Sequence, residues 1–466
     1  MTQPLKYNSN DPLSFVVDFL EKSNKDELAN QVITAFAEQS RDLEQLNLIA
    51  KLYLDIRNIS KAEEYALKVL NKTHAPEEKF NARANLAKLY NNVNEPTKSL
   101  FYSDLNKLVS PNNPDVLLES VFSLYLLNRK DEAEEILRYL KSIEHTLEDH
   151  HTDIIDFNLG TYDLSNGEFI KGLKGFLLKG KNLNLTSNVK LPYTFWDGGC
   201  YPGKTLVVYA DCGGIGDEML LIRFMDDLKD YGFEPIYFTN RQDLCIIFNR
   251  CGYKTVMNLD SIPEDAMWTY YMQVPIYLNS TIESVERSNY LFPSDEARNK
   301  WNYIKQSEKL KIGVRWQGNS KNERDLHRKV PLDDMMAMLK ELYVDQDVEY
   351  YSLQIGDGEE EIVNYPELID VSDKIKSYDD TLALLENLDL VITSCTSVLH
   401  ASAIVGTKTL GLIPISAYFT WVSPTPENRS INTSIWYSDN LRIFKQITPK
   451  SWIEPLAEMK NYLTNK

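Results

Sequence analysis

Asp217 ends the stretch Tyr209-Ala-Asp-Cys-Gly-Gly-Ile-Gly-Asp217, and its setting gives that carboxylate a chemical task. The apolar run Thr205–Tyr209 precedes the stretch and a helical pattern, Glu218–Tyr231, follows it. A strand, a Gly-rich turn and a helix in that order aim backbone N–H groups at one spot, which suits a diphosphate or a substrate brought close to the chain. Gly214 and Gly216 belong to that turn. A helix start keeps a carboxylate ionised, so Asp217 is a candidate general base. A tight turn with no ligand is the competing reading of the same residues.

A second stretch, Leu388–Gly406, is an apolar strand that ends in the small residues Ser394–Ser397 before a helix. Thr396 and Ser397 are expected to act as N-caps and to offer hydroxyls at a helix N-terminus, an end that attracts phosphate oxygens. His400 lies one turn into that helix, either packed and neutral or facing a ligand. A third stretch, Ile312-Gly-Val-Arg-Trp-Gln-Gly-Asn319, reads as a strand entering a loop with Lys321, Arg324, His327 and Arg328. A basic cluster at a strand's carboxyl end suits an anion; a solvated charged loop is the plainer alternative.

The elements that must position these residues differ between the two parts of the chain. From about residue 12 to 180, apolar residues recur at helical spacing and Gly is nearly absent. Leu46, Ala50, Tyr53 and Ala62 fit a 34-residue helix–turn–helix frame of the tetratricopeptide kind. A looser copy has Ala87 and Tyr90, and a third has Leu117, Val121, Leu124, Ala133, Leu137 and Leu140. Such units bury their apolar faces only against neighbours. After Asn182, short apolar runs alternate with helical patterns, as in parallel strands covered on both faces. The predicted strands are 206–209, 235–238, 312–316, 350–354, 390–393 and 409–413. A charged break near 295–309 divides this βαβ series in two, with a ligand expected between the carboxyl ends of two sheets. The aromatic segment Trp268–Tyr277 reads as core, with sugar stacking as the rival.

Composition narrows the function. The chain of 466 residues carries a net charge of −18, which disfavours nucleic acid and an anionic membrane as partners. No run approaches a membrane-spanning length and the first residues lack the apolar core of a signal peptide, so a cytoplasmic protein is expected. Five scattered cysteines with no C-x-x-C pair suggest free thiols and no zinc site.

Taken in order, the repeats, Phe195-Trp-Asp-Gly-Gly, Gly214-Ile-Gly-Asp217, Ile312–Asn319, Ser352-Leu-Gln354, Thr396-Ser-Val-Leu-His400 and Trp436-Tyr437 resemble a known family. The chain looks like the tetratricopeptide-repeat proteins with a C-terminal GT-B glycosyltransferase module, similar to the ADP-heptose:lipopolysaccharide heptosyltransferases. The resemblance implies an α + α/β chain: a TPR-like α-solenoid over 1–185, then two Rossmann-like domains over 186–305 (acceptor side) and 306–466 (nucleotide-sugar donor side). It implies a metal-independent, inverting glycosyltransferase with no cofactor beyond the nucleotide-sugar, acting on an acceptor hydroxyl, with a protein or peptide acceptor on the repeats as one option. Asp217 takes the place of the base. Gly214, Gly216, Asn319, Arg328, Gln354, Thr396, Ser397 and His400 take places on the donor side. Two departures stand out: Cys395 where the family has Asp, and Cys212-Gly213 where it has Glu-Gln. They leave open a catalytically inactive interaction scaffold as the alternative.

Overall fold

The computed structural model describes residues 13, 26–40, 42–175, 191–210, 213–320, 325–416, 419–421, 433–437 and 440–465. Contacts divide the chain into two compact units, Met1–Ile155 and Asp156–Lys466. That division falls within the helix Asp149–Ser165, whereas the expected boundary at 185 lies outside the described residues.

The first unit is a run of helices: Asp26–Gln39, Leu43–Asp55, Ile59–Lys72, Pro76–Asn92, Pro96–Lys107, Pro114–Leu126 and Lys130–Ser142. Three of them begin with proline, where the missing N–H is no loss. Asn58 and Asn113 cap helix starts by accepting from the Lys61 and Val116 N–H groups. The hairpin turns repeat one device. Arg57, Asn94 and Asn128 each adopt a left-handed conformation. The next N–H then donates five residues back: Asn58 to the Tyr53 carbonyl (2.8 Å), Glu95 to Tyr90 (2.7 Å) and Arg129 to Leu124 (2.8 Å). The periodic residues Leu46, Ala50, Tyr53, Ala62, Leu117, Val121, Leu124, Ala133, Leu137 and Leu140 are all buried, as the repeat frame requires.

The second unit holds two parallel sheets. In the first, β1 (Thr194–Phe195), β2 (Thr205–Ala210), β3 (Glu234–Thr239), β4 (Thr255–Val256) and β5 (Met267–Tyr270) lie in the order β1-β5-β2-β3-β4. In the second, β6 (Leu310–Arg315), β7 (Val348–Ser352), β8 (Leu368–Asp370), β9 (Leu390–Ser394), β10 (Thr409–Ile413) and β11 (Leu441–Lys445) lie in the order β11-β10-β9-β6-β7-β8. Ile312, Val314 and Trp316 pack with Ile392, Leu410 and Leu412 against the helices Leu332–Leu342 and Ile453–Thr464. The helix Asp295–Lys305 belongs with this second sheet: Trp301 donates to Asp380 at 3.0 Å and Arg298 grips Glu386 through two bonds of 2.9 Å.

The structure corrects several local expectations. The helix expected over 218–231 is two helices, Ile215–Leu221 and Phe224–Asp230, broken where Arg223 turns inward. The aromatic segment begins as strand β5, with Trp268, Tyr270 and Tyr271 buried, so these rings are core. Strand β11 and the short strands β1, β4 and β8 lacked the near-continuous apolar run used to find the others.

Candidate active site

Each sheet reverses its strand order once, and the Gly-rich and small-residue turns lie at those points. In the first sheet the reversal falls between β2 and β5, and the turn 213–217 leaves the carboxyl end of β2. In the second it falls between β6 and β9, where the loop from Trp316 and the turn Cys395–Thr396 emerge. Reversal leaves neighbouring connections running to opposite faces, which opens a crevice for a ligand.

The two crevices meet. A Cβ on Gly216 would lie 2.7 Å from His400 Cδ2, so the helices Ile215–Leu221 and Ser397–Ile404 touch at a point that only glycine permits. Sequence motifs nearly two hundred residues apart thereby become one site. Asp217, the third residue of its helix, reaches back to the N-cap: its Oδ2 accepts the Gly214 N–H at 2.8 Å. Burial pushes the Asp217 carboxyl above its ordinary range, opposed by that bond and by the charge of Arg241. This is the reverse of the shift expected from a helix start alone. Gly213 has φ +82°, and a Cβ there would strike the Tyr271 hydroxyl, so the turn requires glycine.

Behind Asp217 lies a pair that sequence reasoning missed. Glu218 is fully buried and paired with Arg241. Arg241 also donates to the Gly213 carbonyl at 2.8 Å, so it ties the Gly-rich turn to the helix. Burial raises the Glu218 carboxyl to about 6, offset in part by Thr239 and Arg241.

His400 sits in an aromatic box. Its Nδ1 is 2.6 Å from the Tyr437 hydroxyl and its ring lies 4.7 Å from that of Trp421. Burial, with the charge of Arg223, lowers its pKa to about 3. His400 is therefore a neutral imidazole at physiological pH, able to orient a ligand but not to supply a cation. Arg223 is a fully buried guanidinium held by the carbonyls of Leu220 (2.8 Å), Val285 (2.7 Å) and Trp436 and by the Tyr290 hydroxyl (2.8 Å). The faces of Tyr290 and Tyr437, 4.8 and 5.0 Å away, complete its shell. Arg223 thus fixes the segment that carries Tyr437, and through it His400.

On the second sheet, Arg328 donates to Asp325 (3.1 Å) and to the carbonyl of Cys395 (3.1 Å), in the turn before the helix Ser397–Ile404. It packs flat on Gly318, where a Cβ would meet Nη2 at 2.2 Å. Arg328 and His327 are buried, so this part of the basic loop is no solvated face; Lys321 and Arg324 lie outside the described residues. Thr396 is the N-cap residue, but its side chain makes no capping bond; its hydroxyl instead lies 3.3 Å from that of Thr393. Ser397 is the first helical residue rather than a cap. Asn319 is exposed beside them and its carbonyl accepts from Arg328 at 3.5 Å. Gln354 is fully buried. Its Oε1 accepts from the N–H groups of Trp316 and Gln317, and its Nε2 donates to the Gln317 and Asp357 carbonyls. That amide is spent on shaping the 316–319 loop. Cys395 is buried, which pushes its thiol up to about 11. Cys212 lies outside the described residues.

The second unit has a GT-B fold, two Rossmann-like halves joined at the carboxyl ends of their sheets, and the first unit is a TPR-like solenoid. No protein-family model matches the chain, and no curated sequence matches it. Solved structures with similar chain course include three transferases. A family 9 glycosyl transferase from Veillonella parvula is 12% identical, over 56% of this chain and 92% of its own, with a TM-score of 0.38. The ADP-heptose lps heptosyltransferase II of E. coli is 11% identical, over 56% and 99%, with a TM-score of 0.36. An O-GlcNAc transferase variant from Thermobaculum terrenum is 11% identical, over 91% and 92%, with a TM-score of 0.33.

Proposed function

We propose that the chain is a glycosyltransferase that moves a sugar from a nucleotide-sugar to an acceptor hydroxyl, by a metal-independent inverting displacement. The observation that carries the reading is the Gly216–His400 contact, which packs the helix that bears Asp217 in its first turn against the first turn of the helix Ser397–Ile404. One group takes a proton; the other end offers backbone N–H groups to a leaving phosphate. In the step, the acceptor oxygen bonds to the anomeric carbon while its proton passes to Asp217. The bond from that carbon to the phosphate oxygen breaks, and its electron pair leaves on the nucleotide. Arg328 and the helix start offset that growing charge, an interaction that strengthens as the bond breaks.

Metal independence belongs to the same proposal. Among the described residues, the group of three that could hold a metal ion is Asp115, His150 and His151, all in the first unit. Those residues lie in or beside first helical turns, whose dipoles oppose a cation. We further propose that the acceptor is a protein or peptide seated on the repeats.

A second reading, an inactive interaction scaffold, rests on Cys395: a buried neutral thiol cannot accept the hydrogen bonds or carry the charge of a carboxylate. A panel of nucleotide-sugars, with and without chelator, separates the two. A ligand at a hundred times its dissociation constant adds about 2.7 kcal/mol of stability. Binding followed by chelator-resistant release of free nucleotide supports the enzyme. Binding without turnover, with every acceptor preparation tried, supports the scaffold.

A further inference from the structure

Two histidines and two carboxylates meet among the helices of the first unit, and the proposed chemistry uses none of them. Asp115 is the second residue of the helix Pro114–Leu126, and His150 and His151 are the second and third of the helix Asp149–Ser165. Asp115 and His151 stand 36 residues apart, about one repeat, so equivalent turns of successive repeats come together. His151 Nε2 lies 3.0 Å from Asp115 Oδ1. His151 is only 6% exposed, and its Nδ1 meets no hydrogen-bond partner among the described residues. The His150 ring stands against that of His151, 3.8 Å between centroids, and His150 Nδ1 is 3.3 Å from a Glu148 carboxylate oxygen. One ligand atom each from Asp115, His150 and His151 lies within 4.8 Å of the other two. The Asp115 side chain is half-exposed and that of Glu148 more so, which gives solvent access to the cluster.

A buried His–Asp hydrogen bond needs one imidazole and one carboxylate. A second imidazole and a second carboxylate at the same place suit a cation, because each is a ligand or orients one. Tetrahedral zinc, with bonds of about 2 Å, sets its ligand atoms about 3.3 Å apart. Asp115 and His151 are already near that spacing, and the remaining pairs need to close by no more than about 1.5 Å. Two imidazoles favour zinc, nickel or copper over magnesium or calcium. The two helix starts oppose a cation, and the carboxylates of Asp115 and Glu148 answer them. We infer that Asp115, His150 and His151 form a binding site for one divalent ion of borderline softness, zinc foremost, with solvent in the open position and Glu148 orienting His150. The ion ties the segment 148–151 to the start of the helix Pro114–Leu126, as a clasp between successive repeats. The scattered cysteines argue against a thiolate site and have no bearing on one built from imidazoles. This inference stands whether or not the transferase reading does.

Calorimetric titration of the untagged, chelator-treated full chain with zinc chloride, and in parallel with magnesium chloride, tests this. One zinc per chain is expected, with no magnesium bound at the same concentrations. Zinc should raise the melting temperature as its concentration rises, and slow amide exchange at the starts of both helices. Asp115→Asn and His150→Gln should each weaken zinc by about a hundredfold or more, and Glu148→Gln by about tenfold. His151→Gln should match the first two; because that residue is buried, Asp115→Asn and His150→Gln decide the matter should it not fold. Cobalt in place of zinc should give a spectrum without the charge-transfer band of a thiolate. No zinc binding, zinc affinity unchanged in Asp115→Asn or His150→Gln, or a thiolate band from bound cobalt would each overturn the inference and leave His151 as a buried partner of Asp115 alone.

Discussion

Replacing Asp217 by Asn isolates proton acceptance from every structural duty of that residue. The carboxylate accepts one N–H, from Gly214 at 2.8 Å, and an amide oxygen can accept it as well. The fold should therefore lose no more than about 1.5 kcal/mol, the upper end for one hydrogen bond. Donor affinity should change by less than about threefold, because the phosphate contacts lie on the other sheet. What disappears is the proton acceptor, which contributes about a hundredfold to ten-thousandfold, or about 2.7–5.5 kcal/mol of barrier. The assay is turnover of the nucleotide-sugar that binds, with calorimetric affinity measured alongside. The pH profile adds a second check. A base works deprotonated, so the parent loses activity as pH falls through the Asp217 pKa, which burial raises above the ordinary 3.8. His400, lowered to about 3, adds no such limb near neutrality. Turnover within tenfold of the parent at unchanged affinity would refute the assignment of Asp217 as base. A parallel collapse of donor affinity would refute the separation of the two roles.

Three further outcomes follow from the same geometry. Glu218 is a carboxyl raised from 4.5 to about 6, so the folded state holds its proton more tightly than the unfolded one. Its contribution is present below pH 4.5 and is lost as pH rises through about 6, by about 2 kcal/mol; Glu218→Gln should flatten that part of a stability–pH curve measured by chemical denaturation. Gly216→Ala places a methyl 2.7 Å from His400 Cδ2, so an overpacking cost of about 1–3 kcal/mol is expected, with nucleotide binding weakened as the helices part; an unchanged melting temperature and affinity would show that the contact gives way freely. Arg223→Lys cannot reach three carbonyls and a hydroxyl at once, so it should destabilise the second unit by about 3 kcal/mol or more and alter the near-ultraviolet signal of the Trp421–His400–Tyr437 box.

Much of this protein was legible in the sequence because it depends on local physics. Helical periodicity in a 34-residue frame specifies the repeats, since each unit needs only its neighbours. Near-continuous apolar runs reveal strands covered on both faces, and three glycines before Asp217 signal a turn that lets the backbone close on a ligand. For that reason the sequence puts Gly214, Gly216 and Asp217 at one helix start and Thr396, Ser397 and His400 at another, and the helices Ile215–Leu221 and Ser397–Ile404 begin there. The roles of Gln354 and Thr396 were not legible. Whether a buried amide faces a ligand or the Trp316 and Gln317 backbone depends on which loop folds over it, and a cap forms only if the hydroxyl turns toward its own helix.

What tertiary structure alone decided is the pairing of distant charges and contacts. Arg241 finds Glu218 because β3 lies beside β2; Arg223 turns inward because the helix expected over 218–231 breaks there. The Gly216–His400 contact exists only once two sheets meet at their carboxyl ends. A periodic pattern records which face of an element is buried. It carries no record of what lies across the cleft, because that is set by strand order and helix packing summed over the whole unit.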